Sequence, residues 1–197
     1  MAITIRSTMR WMMAEVKPLT MVALQAGLDT IRQSPNDAGV LALIVRRPRM
    51  GAREVLADGE LDPREGLVGD NWSTRGSSRT ADRSAHPNMQ LTIMNARVIA
   101  LVAQEKERWP LAGDQLFIDL DLSPDNVPPG TRLSLGSAVI EVTDQPHTGC
   151  HKFLSRFGQD ALNFINSPVG KQLQLRGINA KVIHPGVIRV GDVVKKV

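Results

Sequence analysis

The fold is decided by Leu133-Ser134-Leu135-Gly136-Ser137-Ala138-Val139-Ile140-Glu141-Val142-Thr143. Leu133 and Leu135 form one short extended run, Gly136-Ser137 has the chemistry of a tight turn, and residues 138–143 return as a second run. Together they predict a β-hairpin. Just upstream, Leu116, Ile118, Leu120 and Leu122 alternate with Phe117, Asp119 and Asp121, the period of a half-buried strand. Pro124 and Pro128-Pro129-Gly130 mark the connection between the two. Downstream, residues 180–183 and 187–193 predict two final strands joined across His184-Pro185-Gly186.

Further out, residues 40–45 form a short apolar run between Gly39 and Arg46-Arg47-Pro48, which suits a buried strand. Residues 89–94 alternate around Leu91 and Ile93. Asn95 then has the chemistry to cap a helix carrying Val98, Ile99, Leu101 and Val102, with Glu105 to Arg108 facing water. A second helical region spans Phe153, Leu154, Phe157, Ala161, Leu162, Phe164 and Ile165, with Gly158 placed to divide it. Residues 65–72 hold two close glycines and lead into a polar loop over 73–87, where Arg75, Arg79 and Arg83 can meet an anion. The order is mainly β with a few peripheral helices, and it predicts a twisted sheet closed into a barrel, which protects its edge strands. Residues 1–38, ending in Ser34-Pro35-Asn36-Asp37, read as an N-terminal arm, partly helical or flexible, and residues 39–197 as the barrel domain.

Length and composition bound the function. At 197 residues, 42% hydrophobic and 22% charged, the chain is of single-domain size and ordinary globular usage. One Cys excludes an intrachain disulfide. Aromatics are 4%, with no Tyr, which leaves little material for stacking on single-stranded nucleic acid and puts that class last. The net charge of +4 is uneven: from residue 145 on there are eight Lys/Arg against two Asp/Glu, so the positive field is expected on the last quarter. No uncharged apolar stretch reaches the roughly 18–20 residues a membrane span needs, so no membrane association and a cytoplasmic location are expected. Walker, GxGxxG, GxSxG and HExxH patterns are absent.

The chemistry concentrates in Asp144-Gln145-Pro146-His147-Thr148-Gly149-Cys150-His151-Lys152-Phe153, where the only Cys lies between two His and beside a Lys. At a strand-to-helix junction, basic neighbours favour thiolate over thiol. A thiolate can attack sulfur, carry a persulfide or bind a soft metal such as molybdenum. The plain alternative is that Cys150 is a small buried apolar residue. Zinc on His147, Cys150 and His151 lacks an evident fourth ligand.

Seven segments in fixed order extend this reading: Gly66-Leu67-Val68-Gly69-Asp70; Gly113-Asp114-Gln115-Leu116; Asp119-Leu120-Asp121-Leu122; Pro128-Pro129-Gly130-Thr131 leading to Leu135-Gly136; the thiol segment; Arg176-Gly177-Ile178-Asn179-Ala180; and Val190-Gly191-Asp192. In these the chain, from about Gly39 to its end, resembles the MOSC domains, named for the C-terminal domain of molybdenum cofactor sulfurase. The resemblance implies a β-rich barrel and a role in sulfur or molybdenum-cofactor chemistry. It implies Cys150 as the catalytic residue, carrying a persulfide or ligating molybdenum. Arg176 would pair with a cofactor phosphate and Asn179 would hydrogen-bond a pterin edge, with a surface salt bridge and a turn as their ordinary alternatives. Lys152 and His147 would stand beside the same cofactor, the molybdenum cofactor (molybdopterin). Asp70 is expected to cap its turn. Pyridoxal phosphate would belong to a partner cysteine desulfurase acting as sulfur donor, or electrons would come from an electron-donor protein. Amidoxime-reducing members carry a second Cys soon after the first, whereas this chain continues His151-Lys152-Phe153, so a sulfur-carrier or cofactor-binding protein is expected ahead of a molybdenum-dependent reductase of N-hydroxylated compounds. The reading from another class is a non-enzymatic interaction module with a basic C-terminal surface. The oligomeric state is left open by the sequence.

Overall fold

The computed structural model describes residues 16–197. The elements in chain order are helices α1 (Met21–Ala26) and α2 (Leu28–Arg32), strands β1 (Gly39–Arg46), β2 (Glu54–Leu56), β3 (Asp58–Asp62) and β4 (Gly66–Leu67), helix α3 (Trp72–Arg75), strand β5 (Leu91–Asn95), helix α4 (Ala96–Ala103), strands β6 (Leu116–Asp119), β7 (Arg132–Leu135) and β8 (Ala138–Val142), helices α5 (His151–Phe157), α6 (Gln159–Asn166) and α7 (Pro168–Gln172), and strands β9 (Ile178–His184), β10 (Gly186–Arg189) and β11 (Val193–Lys196). Single turns of 3₁₀ helix fall at Pro87–Met89 and, more extended, at Lys106–Ala112.

Strands β11, β7, β8, β9, β5, β6 and β1 pair in that order, and β11 pairs back to β1 through Gly39↔Val194 and Val40↔Val193, closing a seven-stranded barrel. β2 extends the sheet from β1, and β10, β3 and β4 form a separate small sheet. Every barrel pairing is antiparallel except β5 with β6, which α4 and the following 3₁₀ segment connect as a crossover. The expected hairpin is β7–β8, with Leu133↔Ile140 and Leu135↔Ala138 in register.

Two apolar cores flank the barrel wall. Inside lie Leu41, Ile44, Ile93, Leu116, Ile118, Leu133, Ile140, Ile178 and Val194. Outside, under the helices, lie Leu43, Val45, Met94, Phe117, Val98, Ile99, Phe153, Phe157 and Phe164. β6 was expected to wet one face; instead Phe117 is fully buried in the outer core while Leu116 and Ile118 fill the inner one. Short alternating sequence cannot reveal a helical layer on the second face. The expected final strand over 187–193 is divided at Val190, Gly191 and Asp192, so that β10 joins β3 and β11 closes the barrel.

Asn95 caps α4, its Oδ1 accepting from the Arg97 and Val98 amides, an arrangement worth about 1 kcal/mol. Gly158 ends α5 and opens α6 at φ +88. Of the N-terminal segment, residues 1–15 lie outside the described residues. The part that follows packs against the body: Leu24 and Ile31 are buried in the outer core, and the Met21 amide donates to Asp160 Oδ2 on α6 at 2.9 Å. Full burial of a side chain such as Leu24 contributes about 1.5–3 kcal/mol.

Candidate functional site

The loop between β8 and α5, residues 143–150, is tied down from three sides. The Thr143 hydroxyl donates to Asn88 O at 2.7 Å, Asn179 Nδ2 donates to Gln145 O at 3.1 Å, and the Gly149 amide donates to Asn166 Oδ1 at 3.1 Å. Gly149 fits close against α6, since a Cβ there would stand 2.7 Å from Cδ1 of both Leu162 and Ile165. Cys150 then takes the position before α5 with an extended backbone, its carbonyl accepting from the Phe153 and Leu154 amides. Phe153 and Phe157 hold α5 by stacking in the outer core, ring centroids 4.7 Å apart. The thiol itself is exposed. The alternative of a buried, inert Cys150 is therefore wrong: the helix sends Phe153, not Cys150, inward.

Cys150 opens on a cavity of about 310 Å³ whose walls include Arg47, Arg49, Arg53, Arg75, Arg156, Arg176 and Lys152, with no carboxylate among the lining residues. Only two of these seven cations are neutralised among the described residues. Arg47 grips Asp70 bidentately, Nε to Oδ2 and Nη2 to Oδ1 both at 2.8 Å, and its Nη1 donates to Gly113 O. Arg176 Nη1 meets both oxygens of Asp114 at 2.9 and 2.8 Å. The other five have no ion-pair partner among the described residues. Burial, then repulsion from Arg156 and Arg47, lowers the Arg53 pKa; burial, then Arg47, lowers that of Arg75. These cations crowd one another with only partial offset from Asp70, which raises both Arg53 and Arg75, and they give the cavity a positive field.

The cationic wall draws four residues from the N-terminal half and three from the C-terminal half. The positive field is thus not confined to the last quarter, as net counts along the chain suggested. Arg47, Arg49, Arg53 and Arg156 were missed by sequence reasoning; the only available signal was the dense Arg46-Arg47-Pro48-Arg49 run, which reads equally well as a strand terminus.

A second cavity of about 390 Å³ lies beside the first, lined by Thr143, Gln145, Thr148, Asn166, Lys171 and Gln174 among others. His147 and Arg176 line both cavities and partition them. His147 Nε2 is 3.5 Å from Asp114 Oδ1, while burial, and then Arg176, hold its pKa down to about 3, so the ring is neutral. Asp114 is fully buried between the two bases. Three buried atoms along this partition lack partners: His147 Nδ1, Arg176 Nε and Gln174 Oε1. Gly177 lets β9 begin directly after Arg176, at φ +104 and so close to β5 that a Cβ would stand 2.0 Å from Ile93 O.

The structure thus brings Cys150, Lys152, His147 and Arg176 to one cavity. Asn179 stands behind it: fully buried on β9, it braces the loop through Gln145, and its Oδ1 is unpartnered. Arg176 is not a surface salt bridge; its guanidinium is a buried partner of Asp114 and lies 5.4 Å over the Phe153 ring. Asp70 caps as expected, accepting from the Trp72 amide at 3.0 Å, and adds the Arg47 pair. No group of three His, Cys, Asp or Glu placed to hold a metal ion occurs among the described residues. No helix among them is long and apolar enough to cross a membrane.

The geometry agrees with comparisons to known proteins. The fold is similar to the YUAD protein from Bacillus subtilis, at 15% identity and a TM-score of 0.60, over 81% of this chain and 95% of that one. It is also similar to YiiM from Escherichia coli, at 21% identity and TM-score 0.51, over 80% and 69%, and to YiiM from Geobacillus stearothermophilus, at 15% and 0.56, over 81% and 75%. No curated protein is significantly similar to the chain. The family model of the MOSC domain matches residues 80–195, more than half of the sequence and including the thiol segment, Arg176 and Asn179, so the chain belongs to the MOSC domain family.

Proposed function

We propose that the protein binds a molybdenum cofactor across the two adjoining cavities, with Cys150 as the protein's thiolate ligand to the metal. The observation that carries this reading is the exposed thiol on the wall of a cavity with five unneutralised cations and no lining carboxylate. The residues fit such a group. Arg49, Arg53, Arg156 and Lys152 are placed to hold a phosphate, and planar guanidinium forks suit its oxygens. The neighbouring chamber offers one unpartnered donor, Arg176 Nε, and unpartnered acceptors at Gln174 Oε1 and, with Nε2–H turned to Asp114, His147 Nδ1. A pterin edge presents donors and acceptors of the matching kind. When bound, the cofactor would supply two-electron oxygen-atom chemistry at its metal; the chain's part is to hold the phosphate, orient the ring and offer one soft donor.

The exposure of Cys150 favours one further reading, sulfur carriage. A donor persulfide on a partner desulfurase can reach the thiol directly. The Cys150 thiolate attacks the donor's terminal sulfur, the donor S–S bond breaks, the donor leaves as its thiolate and Cys150 keeps a persulfide. The surrounding cations would stabilise that anion until transfer.

Molybdenum, pterin and labile sulfane sulfur are to be quantified in wild type and Cys150→Ser, expressed side by side in a cofactor-competent host. Copurifying molybdenum and pterin that fall with Cys150→Ser support cofactor ligation, and sulfane sulfur alone, near one per chain and lost in the variant, supports the carrier. Absence of all three after incubation with cofactor and a sulfur donor overturns both and favours the interaction module.

A further inference from the structure

The cationic wall does not stop at the thiol cavity. Arg75 also lines an adjoining depression of about 280 Å³, formed with Gly76, Ser77, Ser78 and Arg83. The loop that shapes it is locked by its own hydrogen bonds. The Ser77 amide donates to Arg83 O, the Arg83 amide to Thr80 O, and the Thr80 hydroxyl to Ser77 O and Ser84 O. Gly76 sits against Arg83 O, where a Cβ would stand at 2.5 Å. The loop's only carboxylate, Asp82, is occupied by the Ser84 amide and hydroxyl, leaving Arg75, Arg79 and Arg83 without an ion-pair partner among the described residues. The loop also faces the thiol cavity: Arg79 is close enough to contribute to the lowered pKa of His147, and Arg75 is depressed by Arg47.

We propose that Arg75, Ser78 and Arg83 form a second anion subsite contiguous with the thiol cavity, so that the ligand of this protein carries two linked phosphates, one in each subsite, with Arg75 between them. This deepens the proposed function, on which it rests for the identity of the first subsite. A single phosphate monoester carries about −1.5 to −2 at neutral pH, less than the five unneutralised cations of the thiol cavity, and Arg83 lines only the second depression. Two neighbouring phosphates sharing Arg75 use both sets. The guanidinium N–H groups are donors only and the Ser78 hydroxyl can turn its O–H toward the same anion, which suits phosphate oxygens.

The test uses the full chain and two probes, inorganic phosphate and inorganic pyrophosphate, titrated calorimetrically at fixed ionic strength against wild type, Arg83→Gly, Arg83→Lys and Arg53→Gln. Arg83 has φ +63, so Gly removes the guanidinium at a backbone position that suits it. Wild type is expected to prefer pyrophosphate at least tenfold; Arg83→Gly should abolish that preference while leaving phosphate affinity within twofold, and Arg83→Lys should restore most of it. Arg53→Gln should weaken both probes together. Equal affinity for the two probes in wild type, or a preference that survives Arg83→Gly, overturns the second subsite while phosphate binding sensitive to Arg53 leaves the proposed function standing. Failure of wild type to bind either probe overturns the inference and removes the support that the cationic cavity gives the proposed function.

Discussion

The Arg176–Asp114 pair is the joint between the barrel and the site, and its removal makes the sharpest prediction. Asp114 is fully buried and the Arg176 side chain is 9% exposed, with both carboxylate oxygens within 2.9 Å of Nη1. In Asp114→Ala the guanidinium keeps only the Ala112 carbonyl, at 3.2 Å through Nη2, and its face on Phe153. Leaving a buried charge without its partner costs about 3–5 kcal/mol, mostly the desolvation of the survivor. For a chain of this size that is a fall in Tm of roughly 6–20 °C. The double variant Asp114→Leu with Arg176→Met removes both charges and fills similar volume, so most of the loss should return. Urea unfolding of wild type, Asp114→Leu, Arg176→Met and the double gives the coupling energy directly. A cost under about 1 kcal/mol for Asp114→Ala, or a double variant as unstable as the sum of the singles, refutes the claim that this pair is a buried, mutually dependent joint.

Other expectations follow from the same residues. His147 is neutral in the fold, with a pKa near 3, and titrates near 6.5 when unfolded. The unfolded chain therefore binds the extra proton, the His147 contribution to stability is complete above about pH 6.5, and it is lost as pH falls toward 3, at up to about 1.4 kcal/mol per pH unit. His147→Gln should flatten that slope between pH 6.5 and 4.5 in denaturant titrations, and an unchanged slope would show that His147 is not held neutral. Gly177→Ala must place a Cβ 2.0 Å from Ile93 O at φ +104, and should cost at least about 2–3 kcal/mol by the same assay; a loss below 1 kcal/mol would mean that β9 can shift freely. Cys150 should react with an anionic disulfide reagent on the order of tenfold faster than with an uncharged one of similar size, the ratio falling steeply with salt and in Arg53→Gln. A salt-independent ratio would remove the five cations from the thiol's surroundings.

The barrel strands were legible because each carries its own short apolar run between turn residues, as in residues 40–45 and 133–142. What sequence could not supply was the second buried face. Phe117 alternates with inner-core residues and reads as outward, yet it is covered by a helical layer to which α1, α2, α4, α5 and α6 all contribute, with Trp109 5.9 Å from its ring. The β10–β11 division was equally hidden, because Val187, Ile188, Val190 and Val193 read as one apolar run and only three-dimensional pairing sends Ile188 to β3 and Val194 to the barrel. In the site, Cys150, Lys152 and His147 were legible because they are local in sequence. Arg176 was legible only through the resemblance, and that resemblance did not disclose that its guanidinium is already committed to Asp114. Arg47, Arg49, Arg53 and Arg156 each looked like an ordinary surface charge; their convergence is a property of the closed barrel.

That convergence has a cost. Arg53 and Arg75 are depressed by burial and by neighbouring cations, with Asp70 offsetting part of the effect, so the cluster is held together against its own repulsion. Only Arg47 and Arg176 are ion-paired, each through a carboxylate whose side chain is fully buried, one shortly after β4 and the other just before β6. The remaining cations stand on the 47–53 loop, α3 and α5, elements that end at the cavity rim. The neutralised pair is the scaffold, and under the proposed function the five cations left over, grouped around one exposed thiol, are the part of the structure that a ligand completes.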